Sequence, residues 1–413
     1  MSTKITLKSR AIIIFATLLS LYSTRAMADN WDTYADTWVA VDGLGREIFC
    51  SDTPQIKADK PNAHGHTVGL FYYLWHGSHL IANTGKVYDV TELLKENLEN
   101  PQWGPFHEMH WWGRPVLDYY KAGDPYVLEK HMQMICDAGI DFLFFDVTNA
   151  FIYVDEVKKV MQEIDRRQNL GMKVPKLCFM VHSSTQSTVQ NLYDNFFSKP
   201  QFDKYWYNFQ GKPLMLGNKN EVTNATILNR FTWRNSWAWL NGDKPNEWSW
   251  LEFYPQMPGW SGSRLNREQI SVSTAQHAHS KIGKSYHDGK QPALLPNGTT
   301  AVTGQGLYYN EQWKRAHTMN AQHVMITQFN EWQAMRFIAD GRDGMIVDYV
   351  RPGGKRISSE SVFIDAYNAE FNRDIEPSSD PILRDNYLMQ TVNHIRRYKG
   401  MRQIPLPSNE KTI

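Results

Sequence analysis

Cysteine is scarce in this chain, with three residues in 413. Cys50, Cys136 and Cys178 allow one bridge at most and leave a thiol unpaired, which excludes a disulfide-framed scaffold. Cys136 and Cys178 sit in apolar stretches and are expected as buried thiols. An excess of charge of one sign is missing too: 44 basic residues stand against 43 acidic ones, a formal net of +1. Like charges form no run, so the chain lacks the electrostatic footprint of a nucleic-acid binder. Beyond the N-terminus no apolar run approaches the ~20 residues of a membrane span, and no membrane insertion is expected. Three signature loops are absent as well: a P-loop, a G-x-S-x-G elbow, and a G-x-G-x-x-G turn after the first apolar run. Nucleotide hydrolysis, serine-esterase chemistry and dinucleotide binding therefore lose their usual sequence grounds. No cofactor and no bound metal are expected.

The first residues read as a targeting segment. Lys4, Lys8 and Arg10 precede an apolar stretch over 11–21, and Ala26-Met27-Ala28 offers a small-x-small cleavage site. A signal peptide is expected over 1–28. The mature chain, 29–413, is then expected as one exported domain, periplasmic or secreted and monomeric.

Aromatic residues are abundant, at 13% of the chain with 15 Trp and 20 Tyr. A core does not need so many indoles, and Trp and Tyr join an apolar face to a polar edge. Clustered Trp suggests surfaces that stack on flat apolar faces such as those of sugar rings. A Trp-rich core is the bland alternative for about half of them.

Eight short apolar runs punctuate the chain: "VGLFYYLW" (68–75), "GIDFLFFDVTN" (139–149), "KLCFMVHSS" (176–184), "KPLMLG" (212–217), "FTWRNSWAW" (231–239), "WSWLEFYPQ" (248–256), "QISVSTAQHAH" (269–279) and "HVMITQFNEW" (323–332). Most are continuous rather than alternating, as in parallel strands covered on both faces. Helical patterns fill several gaps, among them 124–139, which opens on Asp124-Pro125 and closes on Gly139, then 153–171 and 309–322. Strand and helix alternating in this way predict an α/β fold, a (β/α)8 TIM barrel with long βα loops. The gap between the fourth and fifth runs is too short for a good helix, which keeps a doubly wound sheet as the rival. Two closing helices are expected, over 361–377 and 385–400.

In a barrel the ends of the strands carry the chemistry. Read in order, these ends offer Tyr73, Trp75 and His76; Asp146, Thr148 and Asn149; His182; Arg234; Glu252, Tyr254 and Gln256; Gln276 and His277; and Asn330, Glu331 and Trp332. Carboxylates, amides, imidazoles and aromatics on apolar stems are what a glycosidase needs: two carboxyl groups about the scissile bond and polar groups holding the sugar. Glu331, Glu252 and Asp146 are the catalytic candidates. The structural alternative for each is a salt bridge to an arginine such as Arg234 or Arg336. Trp75, Trp111, Trp112, Trp332 and Tyr254 are candidate stacking faces, and Asn330, Gln276, His76 and His182 candidate hydroxyl partners. His64-Gly65-His66, His107 with His110, and His277-Ala278-His279 have chelating spacings, so a metal-dependent hydrolase is a lesser alternative.

"TQFNEW" (327–332) resembles the "FNEW" segment of glycoside hydrolase family 99, the endo-acting α-mannosidases. "WVAVDGLGR", "VGLFYYLWHG", "DFLFFDVTN", "WLEFYPQMPGW", "SVSTAQH" and "FNRDIEP…IRRYKG" look like a broader exported group described as family 71/99-like. The resemblance covers roughly 38–401 and implies a (β/α)8 barrel acting on a glycan. It also implies that Glu331 assists the sugar's own 2-hydroxyl to attack through an anhydro-sugar intermediate. The family's second Glu, which protonates the leaving group, falls on Ala334, and alanine cannot transfer a proton. Glu252 and Asp146 rank above Glu376 as its replacement, because strand ends are held more rigidly than loops. A carbohydrate-binding pseudoenzyme is the alternative that Ala334 keeps open.

Overall fold

In the computed structural model the described residues are 62–77, 86–97, 100–277, 280–338, 349–350, 356–357, 361–363 and 366–401. The expected signal peptide, Cys50 and His279 lie outside them. In chain order the elements are β1 (Thr67–Tyr72), α1 (Val90–Glu96), β2 (Met109–Trp111), α2 (Pro125–Asp137), β3 (Phe142–Val147), α3 (Val154–Asn169), β4 (Lys176–Val181) and α4 (Thr185–Leu192). They continue with β5 (Asn208–Phe209), β6 (Lys212–Leu216), α5 (Ala225–Arg230), β7 (Thr232–Arg234), β8 (Gly259–Ser261), β9 (Ser263–Val272), α6 (Leu307–Met319), β10 (His323–Ile326), β11 (Gln333–Met335) and α7 (Asn386–Tyr398).

Seven strands run parallel in the order β7-β6-β4-β3-β1-β10-β9. The first strand of the chain pairs with the last long one, Thr67 opposite His323 through Leu70 opposite Ile326. That pairing brings the chain's start back to its end, as a barrel does and a doubly wound sheet does not. Between β7 and β9 the ladder is not continuous. The segment 247–251 fills that position through isolated parallel bridges, Asn235 with Glu247 and Ala238 with Leu251. The arrangement is barrel-like, and the sixth apolar run is a bridging segment rather than a strand.

Two apolar layers follow from the side-chain alternation. Phe71, Phe142, Phe144, Cys178, Met180, Leu214, Leu216, Trp248, Trp250 and Met325 pack together on one side of the sheet. Leu70, Leu143, Phe145, Leu177, Phe179, Met215, Val272 and Ile326 pack on the other, with Met132 and Ile135 of α2 and Val157, Val160 and Ile164 of α3. All six residues of β3 are therefore buried, which explains its continuous apolar run. Cys136 and Cys178 are both buried free thiols.

Two sequence expectations are corrected. A helix does fit between the fourth and fifth runs: α5 needs only six residues because the Asn224 side chain caps it, accepting from Thr226 N and Ile227 N. The expected helix over 361–377 is instead a short strand at Ser361–Val362 and an irregular strap over 366–377. Asn368 Oδ1 accepts from Glu370 N and Phe371 N, and Asn372 Nδ2 donates to the carbonyls of Asn368 and Ala369. These amide side chains give the backbone an alternative to helical bonds.

Candidate functional site

The site is built from the C-terminal end of β10 outward. After Ile326 the chain runs Thr327-Gln328-Phe329-Asn330-Glu331-Trp332 over the end of the sheet. Asn330 ties this stretch to β1, accepting from Tyr73 N at 2.9 Å and donating to Tyr73 O at 3.2 Å. The strap then crosses it. Ile375 N and Glu376 N both bond to Phe329 O, which sets Arg373, Asp374 and Glu376 among the residues of the strand end.

Each of the three has a distinct task. The Arg373 guanidinium lies 3.3 Å from Glu331 Oε2 and bonds Gln328 Oε1 at 3.0 Å, over the ring of Trp250 at 5.2 Å. Trp250 belongs to the inner apolar layer, so the ion pair stands above that layer. Asp374 takes three donors: Glu331 N at 2.5 Å and Gln328 Nε2 at 3.0 Å on Oδ1, and Trp112 Nε1 at 2.6 Å on Oδ2. Burial nonetheless pushes its carboxyl up, to about 7, against those donors and the nearby Lys284. Glu376 accepts from Tyr120 Oη at 2.7 Å and Trp332 Nε1 at 2.5 Å, and faces His131 Nε2 at 2.9 Å.

Glu331 itself is 1% exposed. Its expected competitors stand elsewhere on the same rim. Asp146 follows the inward-facing Phe142 and Phe144 at two-residue spacing, so it shares their side of the sheet. Its Oδ1 accepts from Thr148 N at 2.9 Å. Glu252 is drawn into its own loop, accepting from Asn241 N at 2.7 Å and Ser249 Oγ at 2.5 Å, and burial raises its pKa.

The polar and aromatic candidates divide sharply. Trp112 and Trp332 stack on each other at 4.6 Å and 12° and are buried, with both indole nitrogens held by the strap carboxylates. Trp111 is buried edge-on to Tyr119 and Tyr120. The expectation that these three offer open stacking faces is therefore corrected. Gln276 is also committed to protein, donating to Glu252 O and Tyr308 Oη and accepting from Trp239 Nε1. His76 is buried against Trp111 and Tyr120, and burial holds it down, to about 3. Trp75 is half-buried against Tyr73, while Tyr254 and His182 are exposed on the rim.

Sequence reading missed Arg373 and Trp237. The first was hidden because the strap was expected as a helix. The second was hidden because its run was read as strand to residue 239, whereas β7 ends at Arg234. Arg234 does form a buried salt bridge, but with Glu268 at 2.6 Å, and Arg336 lies over the Phe106 ring. Ala334 is buried in β11 opposite His110 of β2, so no side chain of this strand supplies a second acid there. Among the described residues, no group of three His, Cys, Asp or Glu is arranged to hold a metal ion. No described helix is long and apolar enough to cross a membrane.

A barrel-like α/β protein with carboxylates and aromatics at the strand ends is the class that fold and rim define. No family model and no curated protein matches the chain. Among solved structures it is similar to the GH99 endo-alpha-mannosidase from Bacteroides thetaiotaomicron, at 16% identity and a TM-score of 0.43, over 81% of this chain and 98% of that one. The same enzyme in complex with bis-tris-propane matches at 16% and 0.43, over 83% and 99%. A glycoside hydrolase-like protein matches at 12% and 0.37, over 81% and 94%. Likeness at that level leaves the chemistry to be argued from the side chains.

Proposed function

We propose that this chain is an exported glycoside hydrolase acting on a polysaccharide or complex glycan, with Glu331 as the base or nucleophile-like carboxylate and Asp146 as the general acid. One observation carries the pairing. The last paired residues of β1 and β3 are Tyr72 and Phe145, so Tyr73 and Asp146 come next at the same level. Tyr73 is the residue that Asn330 brackets from the other side. Asp146 and the Asn330-Glu331 pair thus share one end of the sheet, two strand spacings or roughly 10 Å apart in backbone. Carboxylates flanking a glycosidic bond need separations of about 5 to 10 Å.

In this scheme Asp146 gives its proton to the leaving oxygen while Glu331 assists the attacking hydroxyl or water. Asp374 is a positioning residue, since it grips the Glu331 backbone amide. Glu252 is placed last, because its carboxylate is spent on Asn241 N and Ser249. A second reading, glycan binding without cleavage, is favoured by the buried Glu331–Arg373 pair and by Ala334.

The test is hydrolysis of a panel of bacterial, plant and algal glycans by the mature protein, followed as new reducing ends. Glu331→Gln and Asp146→Asn should each lower the rate about 10²- to 10⁴-fold. Undiminished cleavage by Glu331→Gln would overturn the site assignment. Binding without cleavage by the wild type would establish the second reading instead.

A further inference from the structure

The indole of Trp237 is 38% exposed and stacks on the His182 ring at 3.6 Å and 12°. The two come from loops after β4 and β7, which are not neighbours, because β6 runs between them. Between them, β6 ends against Gly217, which lies close to Val181 of β4. A Cβ built there would collide with the Val181 side chain. Stacking holds one face of the indole against the imidazole and so presents the other in a fixed orientation. An exposed Trp immobilised on one side is a ready stacking surface, since little rotamer entropy remains to be lost on binding.

Its connection to the carboxylate runs through Trp250 and Arg373. Trp250 N donates to Trp237 O at 2.9 Å, and the ring of Trp250 lies beneath the Arg373 that pairs with Glu331. Trp237 is thus joined to the candidate catalytic carboxylate through two residues, yet stands outside the buried shell. Phe253 and Tyr254, which follow the bridging segment, are 39% and 43% exposed, and Phe253 stacks on Trp239.

We propose that Trp237, backed by His182, is a pyranose-stacking subsite set apart from the reacting centre. The ligand is therefore a glycan of several sugar units and not a monosaccharide. This rests on the glycoside hydrolase reading and adds to it a named subsite beyond the reacting centre.

The test uses the Glu331→Gln protein, in which turnover is slowed, titrated calorimetrically with cellotetraose, maltotetraose, xylotetraose, α-mannotetraose and the parent monosaccharides. A tetrasaccharide should bind, with the monosaccharides at least about tenfold weaker. Adding Trp237→Ala should weaken the tetrasaccharide about tenfold, the loss of one well-packed aromatic anchor, and leave the monosaccharides unchanged. Trp237→Phe should recover part of that loss, which a folding defect would not allow. Tetrasaccharide binding unchanged by Trp237→Ala overturns the subsite and leaves the hydrolase reading standing. If no probe binds at millimolar concentration, the subsite falls, while the hydrolase reading is decided by the glycan panel.

Discussion

Asp374 holds three N–H donors on two oxygens, entirely inside the protein, and one of those donors is the backbone amide of Glu331. An asparagine has the same shape but must turn an NH2 group toward at least one of the donors. Asp374→Asn should therefore cost about 1–3 kcal/mol, seen as a lower urea midpoint at unchanged slope. An unchanged midpoint would show that the three bonds do not hold the strand end. At this scale Glu331 was legible from the sequence, because a carboxylate closing an apolar run is conspicuous. Arg373 was not, because nothing in "FNRDIEP" states which strand it will cross. Trp112 and Trp332 were misread for a related reason: a Trp in a polar neighbourhood reads as a sugar face. Here their indole N–H groups are satisfied by Asp374 and Glu376, which lie over 40 residues beyond Trp332.

The strap over 366–377 is the element that completes the site, and it is held by side-chain amides in place of a helical ladder. Asn368 accepts from two backbone N–H groups and donates to Gly298 O. Asn368→Ala leaves those buried groups unsatisfied. We expect a loss of about 2 kcal/mol, with catalytic rate falling together with the urea midpoint, because Arg373 and Asp374 lose their register. Full activity in a destabilised Asn368→Ala protein would separate the strap from the chemistry. The helices over 125–137, 154–169 and 307–319 fell close to their sequence expectations, because periodicity and the Asp124-Pro125 cap are local signals. The strap failed because its alternative bonds are equally local, but polar side chains replace periodicity as their cause.

Over the whole molecule, burial keeps several histidines neutral. His76 is held to about 3, and His110 and His323 to about 4, chiefly by desolvation. These groups bind fewer protons folded than unfolded, so stability is complete above about pH 6.5 and drains as pH falls toward the folded values. Asp374, raised to about 7, works the other way and gains as pH falls below 7. His317 and His394 are depressed in the same way, to about 4 and about 3, so the buried imidazoles outweigh Asp374 and stability falls between pH 6 and 4.5. Urea midpoints at pH 7.5, 6, 5 and 4.5 should decline steadily, and a flat series would mean that these imidazoles are hydrated in solution.

Composition and periodicity by themselves determined the alternating parallel architecture, the buried thiols and the placing of Glu331 at a strand end. Each of those depends on neighbours within a few residues, where the side-chain period is enough. Only the tertiary structure decided that Trp112 and Trp332 are core, that Glu252 turns into its own loop, and that Trp237 stands exposed against His182. It also set Arg373, 42 residues further on, against Glu331. Such pairings cost nothing locally and are selected by which distant segments share the end of the sheet, which no short stretch of sequence encodes.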